Sequence, residues 1–414
     1  MPFIVKIVRS KVFDGLLGAI LGIVVGIIIT AILWVIVSAL GDLVPPFVLD
    51  FVPALGLLII LGHAVIGFGS GLGMFRGTSL GRFLYYGSAT GYFRGILGQI
   101  IGTLLGMSLF NLFLAAKGVS EPFLNEKALV FGGIIGVIGF VMATGALTDW
   151  MLWVGGNPTR LHHGAPEGKP EWFRYFTVDV NHKVIGIQYG VTSLFVLLVG
   201  GLFALIFRIE LAQPGLQWLS NDQYNTLFSA HGIVMIVSML MGVGAMVNYL
   251  VPLMIGASDM AFPRLNAFSY WVGLPSVTLV LGGMALGGWD TGWVGYPTLS
   301  LFTPEIGVVL FLMGFWINGF SSIASAINVL VTTMTMRAKG MSLFRMPIFV
   351  WGALAAALIQ FSATQTVGMA LTMTLLERVY GLVFFNPNLG GNPILYQNVF
   401  WFYSHPVVYL FVLP

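Results

Sequence analysis

Long apolar runs separated by short polar gaps recur from one end of the chain to the other. Ten of them, at 13–39, 51–71, 97–116, 129–152, 184–207, 228–251, 268–287, 305–333, 347–375 and 399–414, predict membrane spans. About 20 apolar residues in a helix cross roughly 30 Å of hydrocarbon. A membrane barrel needs short segments of alternating polarity around a polar interior, and that alternation is absent. The predicted fold class is all-α, a polytopic transmembrane helical bundle.

The gaps carry the charge, and its distribution predicts sidedness. With a cytoplasmic N-terminus, Lys6, Arg9, Lys11, Arg76, Arg82, Arg94, Arg160, Lys169, Arg174, Lys183, Arg264, Arg337, Lys339 and Arg345 fall on the cytoplasmic side. Only Lys117, Lys127, Arg208 and Arg378 fall outside, and such a bias is the one that membrane insertion imposes. The longest soluble stretch, 153–183, is rich in Gly, Pro and charge (GGNPTRLHHGAPEGKPEWFRYF) and reads as a cytoplasmic linker. It separates a four-span extension at 1–152 from a six-span block at 184–414. The basic N-terminus and the run after it resemble a signal peptide, but the run is too long and has no small-residue cleavage site, so it reads as a retained span.

Composition agrees with this picture. Hydrophobic residues make up 57% of the 414 and charged ones 8%, against roughly 25% charged in soluble domains. The net charge of +3 is scattered through the gaps rather than gathered in a stripe, which gives no footprint for nucleic acid. With no cysteine, iron–sulfur clusters and cysteine-bound zinc are excluded. Glycines in the extension, as in GHAVIGFGSGLGMFRG, read as helix-packing residues, and His63 among them as a satisfied polar side chain. Internal repeats are not evident by eye.

Candidate chemistry lies in the second block. His231 opens one apolar run and His405 sits in another, and an imidazole at membrane depth is costly unless paired or coordinated. The residues alone leave metal, haem and proton path all open. Tyr409, four residues after His405, shares its helix face, and Tyr403 and Ser404 add hydroxyls just ahead.

The second block resembles subunit I, the catalytic subunit, of the haem–copper terminal oxidases. The runs that carry this are NHKVIGIQY, FRIELAQPG, QYNTLFSAHG, NYLVPLMIGASDMAFPRLN, TGWVGYPTLS, SSIASAINVLVTTM, MPIFVW, LERVYGLVFFNPNLGGNP and FWFYSHPVVY, in the family's order. The last six spans would then be the first half of the oxidase core. The resemblance implies three cofactors: a low-spin haem, a high-spin haem and a copper, CuB. It makes His231 an axial ligand of the low-spin haem and His405 a ligand of CuB. Tyr409 becomes the tyrosine linked to that histidine, supplying an electron and a proton as the O–O bond breaks. Arg208 and the loop residues Trp289, Trp293 and Tyr296 would flank the haem edges. Asn248, Asp259 and Asn266 would form the cytoplasmic proton path, which Ser321, Ser322, Ser325 and Asn328 continue.

The resemblance has departures. Many members carry Glu two residues after the copper histidine, where this chain has Val407. A Tyr-Ser-His-Pro subgroup shares that pattern, and there Tyr403, assisted by Ser404, would stand in for the carboxyl. Ala267 replaces a second Asn, and Asn386, Asn392 and Asn398 stand where Asp, Asp and His are usual. The family's remaining ligands lie in six further spans, so the chain reads as an N-terminal fragment or truncated product, inactive alone. The implied function is reduction of oxygen to water with proton uptake and pumping in the plasma membrane. Its implied partners are the lipid bilayer, further subunits, above all subunit II, and an electron donor: cytochrome c, a blue-copper protein or quinol. The alternatives are a nitric oxide reductase-like enzyme and a noncatalytic scaffold or transporter subunit.

Overall fold

A computed structural model describes residues 11–39, 46–72, 74, 79–157, 164–166 and 168–414. Lys6, Arg9, Arg76 and Arg160 of the sidedness count, and part of the 153–183 linker, lie outside that set. Among the described residues, eight helices are long and apolar enough to cross a membrane, and Leu55–Gly71 is a shorter apolar one.

The chain divides into two compact units, Met1–Arg94 and Gly95–Pro414. The first holds α1 (Lys11–Ala39), α2 (Pro46–Gly71) and α3 (Ser79–Ala89). Its first two helices meet backbone to backbone. A Cβ on Gly18 would lie 2.0 Å from the Gly67 carbonyl oxygen, one on Gly22 2.0 Å from that of His63, and one on Gly26 2.6 Å from Ile60 Cα. Glycine is therefore obligatory at this seam, since any side chain would prise the pair apart. His63 Nδ1 donates to the Ile59 carbonyl at 2.8 Å, the satisfied role expected of it. Asp14 accepts from Arg94 at 3.2 Å.

The second unit opens with another such pair, α4 (Gly91–Ala116) and α5 (Glu126–Thr144). Here a Cβ on Gly98 would meet Gly139 O at 2.5 Å, one on Gly102 Ile135 O at 2.7 Å, and one on Gly106 Gly132 Cα at 2.8 Å. The spacing Gly15, Gly18, Gly22, Gly26 in α1 is reproduced as Gly95, Gly98, Gly102, Gly106 in α4, and Asp14 and Arg94 precede the two series. The two hairpins thus share one register, in which Leu17 and Ile20 also recur as Leu97 and Ile100.

One predicted span is corrected. The 129–152 run is two helices, because Gly145 takes the left-handed conformation (φ 91°), caps α5 through its N–H to Met142 O, and lets the chain restart as α6 (Thr148–Val154). The remaining helices are α7 (His182–Glu210), α8 (Asn221–Ile255), α9 (Pro263–Ala285), α10 (Gly307–Thr335), α11 (Ile348–Tyr380) and α12 (Pro393–Val412). Their starts are written in the sequence. Asn181 caps Lys183 N, Ser220 and Gln223 form a reciprocal capping box, and Pro393 follows the cap Asn392. Asn392 and Asn386 each accept a backbone N–H two residues on, so amides fill these turn positions as carboxylates would.

Within this unit α7 packs on α8, α9 on α10, α10 on α11, and α11 on α12, while α5 lies against α9 and α10. Most of α10 is buried, including Val308, Phe311, Leu312 and Asn328. By contrast, Val191, Leu194, Phe195, Leu198, Leu202 and Leu205 form an exposed apolar face on α7. Such a stripe is untenable in water and suits lipid. Three polar clamps fix α4–α6 to the helices behind. Gln99 Nε2 donates to Pro275 O at 3.2 Å and the Gln99 amide oxygen accepts from Thr278; Arg264 reaches Asp149; Arg378 reaches Glu126. The last two lie at opposite ends, matching the predicted alternation of spans.

Candidate functional site

His231 lies in the third turn of the capped helix α8, and its ring is held on two sides. Its Nδ1 donates to the Gly200 carbonyl of α7 at 2.9 Å, which leaves the Nε2 lone pair free. That is the tautomer an iron ligand requires, set by the hydrogen bond on the other nitrogen. Phe207 meets the imidazole edge-on, with ring centroids 5.5 Å apart. The next residue, Gly232, admits a neighbour: a Cβ there would be 3.0–3.2 Å from the Trp293 indole. Arg208 is exposed on the last turn of α7.

Trp293 belongs to the 286–298 loop, which turns through glycines with positive φ at 287, 288, 292 and 295. At Gly288 a Cβ would collide with Thr226 at 2.2 Å, so only glycine lets the loop pass this close to α8. Ser229 accepts from Gly292 N at 3.0 Å and ties the two together. Trp289 stacks on Phe311 (4.9 Å, 8°), and its buried Nε1 has no partner. Trp293 packs on Phe400 and Trp401 of α12, and Trp401 Nε1 donates to Tyr296 OH at 2.5 Å. The loop residues are thereby gathered between the start of α8 and the middle of α12.

On α12 the two faces differ. His405 and Tyr409 are exposed on one face, rings 4.7 Å apart, with His405 Nε2 and the Tyr409 hydroxyl in hydrogen-bonding contact. Tyr403, Ser404, Val407 and Leu410 are buried on the other. Tyr403 and Val407 are one turn apart, so the Tyr403 side chain is on the face that a residue at 407 also occupies. Ser404 Oγ is buried without a partner.

Asn248 and Asn266 are wholly buried on α8 and α9. Asn248 Nδ2 donates to Gly244 O at 2.8 Å but its Oδ1 has no partner, and neither amide atom of Asn266 has one. Unsatisfied buried amides are rare and mark places where water or ions are held. Asp259 follows α8 in the 256–262 loop and accepts from Met260 N at 2.7 Å. Ser321 donates to Ser269 O at 2.7 Å, and Ser269 Oγ shares a hydrogen bond with Tyr189 at 3.1 Å. Ser321, Ser322 and Ser325 line a cavity of about 40 Å³ with Tyr189, Asn318 and Gln360. At 10–15 Å³ per water it holds a few. Leu410 of α12 also borders it, on the face that carries Tyr403 two turns away.

Asn328 departs from its expected place in the path. Its Oδ1 accepts from Phe262 N at 2.9 Å and its Nδ2 donates to Phe262 O at 3.0 Å, while Thr332 Oγ1 accepts from Ala261 N at 2.9 Å. It is a clamp on the loop that carries Asp259. Two glutamates also emerge that the sequence reading passed over. Glu210 accepts from the backbone N–H groups of Gln217, Trp218 and Leu219, and Glu377 from those of Phe384, Phe385 and Asn386. Each carboxylate braces the loop after its helix. The only signal was a Glu near a helix end followed by a Gly/Pro-rich loop.

Among the described residues no three His, Cys, Asp or Glu side chains converge on a metal-sized site. His231, with one nitrogen anchored and the other free among aromatic rings, has the chemistry of a haem ligand. His405 Nε2 faces the Tyr409 hydroxyl.

Together these features define a polytopic all-α membrane bundle with His231 and His405 on two of its long helices and several buried polar side chains without partners. The chain belongs to the cytochrome c and quinol oxidase polypeptide I family, whose model matches residues 184–414. It is 43% identical over 245 residues to a cytochrome c oxidase subunit 1 of Synechocystis sp., covering 59% of this chain and 44% of that protein. The subunit of the same name from Thermostichus vulcanus is 42% identical over 246 residues (59% and 45%), and a probable cytochrome c oxidase subunit 1-alpha of Streptomyces coelicolor 41% over 239 (56% and 41%). The chain spans less than half the length of these curated relatives.

Proposed function

We propose that the chain is part of the catalytic subunit of a terminal oxidase in the plasma membrane, N-terminus cytoplasmic, reducing oxygen to water with proton uptake and pumping. The observation that carries this is the His405–Tyr409 pair, held together on one face of α12. In this reading residues 184–414 are core, 153–183 a cytoplasmic linker and 1–152 an accessory extension. His231 would hold a low-spin haem and His405 would hold CuB, with a high-spin haem as the third group. When bound, these groups relay electrons and activate oxygen.

The chain's own residues supply orientation and protons. The Gly200 carbonyl holds the His231 ring through Nδ1, so that Nε2 would be available to a haem iron. Trp289, Trp293, Tyr296 and Arg208 would flank the haem edges. Asp259 collects protons, Asn248 and Asn266 hold water at the narrow inner stretch, and Ser321, Ser322 and Ser325 line the cavity beyond. Tyr403, assisted by Ser404, passes the proton on from the buried face of α12 and takes the place of a carboxyl, as in the Tyr-Ser-His-Pro subgroup. Tyr409 donates its hydroxyl proton beside His405. Cytochrome c, a blue-copper protein or quinol supplies electrons, with subunit II as the docking partner.

The test is spectroscopic. In the assembled holoenzyme, His231→Ala abolishes the low-spin haem absorbance while the protein still inserts in the membrane. A low-spin spectrum that persists in the variant overturns the ligand assignment.

A further inference from the structure

The cavity that Ser321, Ser322 and Ser325 line from α10 has a second wall, built by α11 from Ala353, Ala356, Ala357 and Gln360. These positions recur every three or four residues and so share one helix face, which the first three cover with methyl groups alone. Gln360 is the hydrogen-bonding side chain that α11 brings to the cavity. Hydroxyls elsewhere on α11 bond within their own helix: Ser362, Thr364, Thr372 and Thr374 each donate to a carbonyl four residues back. Gln360 differs. Among the described residues, the side chains of Gln360, Asn318, Ser322 and Ser325 have no hydrogen-bond partner in the protein, and all four border this one cavity. Polar groups at membrane depth are costly unless satisfied, and a cavity with room for a few waters satisfies them.

Two close approaches fix the level of Gln360. A Cβ on Gly319 of α10 would lie 3.4 Å from the Thr364 methyl of α11, and a Cβ on Gly352 of α11 would run into the Leu413 carbonyl oxygen just after α12. Consecutive spans run antiparallel with the same rise per residue, so residue 360 lies opposite about residue 323 of α10 and about residue 405 of α12. Gln360 is therefore level with Ser322 and Ser325 on one side and with Tyr403 and Ser404 on the other. From α12 the cavity is bordered by Leu410, on the buried face that carries Tyr403, and a leucine supplies no hydrogen bond. We infer that Gln360 is a positioning residue that extends the hydrogen-bonded chain from the serine-lined cavity toward Tyr403. Its amide has a donor and an acceptor on different atoms, so it can hold one water on the α10 side and another toward α12. The amide itself takes up no proton; the waters it aligns carry it. The inference rests on the reading that Tyr403 receives protons from this cavity.

The experiment measures oxygen consumption and its deuterium solvent isotope effect in the assembled holoenzyme in proteoliposomes, with haem content and thermal stability beside them. Gln360→Leu nearly keeps the volume and removes both hydrogen-bonding atoms. Turnover falls by about three- to tenfold, the worth of one hydrogen bond at the limiting step, and the isotope effect rises while haem content and melting stay unchanged. Gln360→Met does the same and is read instead if the first variant does not assemble; Gln360→Glu restores turnover. Unaltered turnover and isotope effect in Gln360→Leu or Gln360→Met overturn the inference, as does a loss in all three variants that tracks haem content. Tyr403→Phe separates it from the parent reading. Slow turnover there with unaltered turnover in Gln360→Leu removes the role of Gln360 alone, and full turnover in Tyr403→Phe removes the route to Tyr403 and this inference with it. In the double variant Gln360→Leu/Tyr403→Phe the two losses do not multiply, because one route is already cut; multiplied losses put the residues on separate routes and overturn the link.

Discussion

Replacing Asn328 by Ala removes the clamp on the Asp259 loop and nothing else that contacts it. The two hydrogen bonds to the loop are lost, Phe262 N to Oδ1 at 2.9 Å and Nδ2 to Phe262 O at 3.0 Å, with a long one of 3.5 Å from Thr332 Oγ1, while Thr332 keeps its hold on Ala261 N at 2.9 Å. A buried backbone group left unpaired costs about 1–3 kcal/mol. Phe262 is 44% exposed, so solvent recovers part of this, and the lower end applies to each group. The local opening of residues 257–262 therefore becomes easier by about 2–3 kcal/mol, which is about 30- to 150-fold in the opening equilibrium. Amide hydrogen exchange read by mass spectrometry on the peptide spanning the loop measures this directly, with peptides from the middle of α10 as the internal reference. Proton-coupled turnover falls in the same variant while the haem spectrum is unchanged. Exchange in the loop no faster than wild type would refute the clamp, and would return Asn328 to the water path with its neighbouring serines.

Three other outcomes are expected. Tyr403→Phe slows proton-coupled turnover by tenfold or more with haem incorporation intact, since the ring volume is kept and only the hydroxyl goes; wild-type turnover would exclude it as the carboxyl substitute. Glu126→Ala strands Arg378, which is 4% exposed, at the junction of α5 and α11, and lowers thermal stability in detergent by about 3 kcal/mol, whereas an unaltered melting curve would mean that the Ser300 and Glu305 carbonyls suffice for the guanidinium. Gly102→Val places side-chain atoms where a Cβ alone is 2.7 Å from Ile135 O, so the α4–α5 pair separates and protease susceptibility of the 117–125 loop rises.

The membrane spans were legible because lipid demands length and apolarity, two properties that a sequence displays directly. The break at Gly145 was less so, because the apolar run continues through it and only the left-handed backbone at that glycine reveals the turn. His231 could be flagged from its cost in lipid, yet its orientation comes from a carbonyl 31 positions earlier that carries no signature. Asn328 shows the opposite failure: a polar residue on a helix lined with serines looks like part of a polar track, and only its two contacts with Phe262 reveal it as a brace. The Asp149 ion pair was unreadable for a similar reason, since its partner Arg264 lies 115 positions away.

The matched glycine seams of α1–α2 and α4–α5 have a consequence for biogenesis. Their cohesion comes from atoms touching at van der Waals distance inside a medium already free of water, so it requires nothing from the helices synthesised later. Each hairpin can leave the translocon closed on itself while the ribosome is still making residues 184–414. The two glycine hairpins are in that sense prefabricated wedges, seated before the later helices arrive.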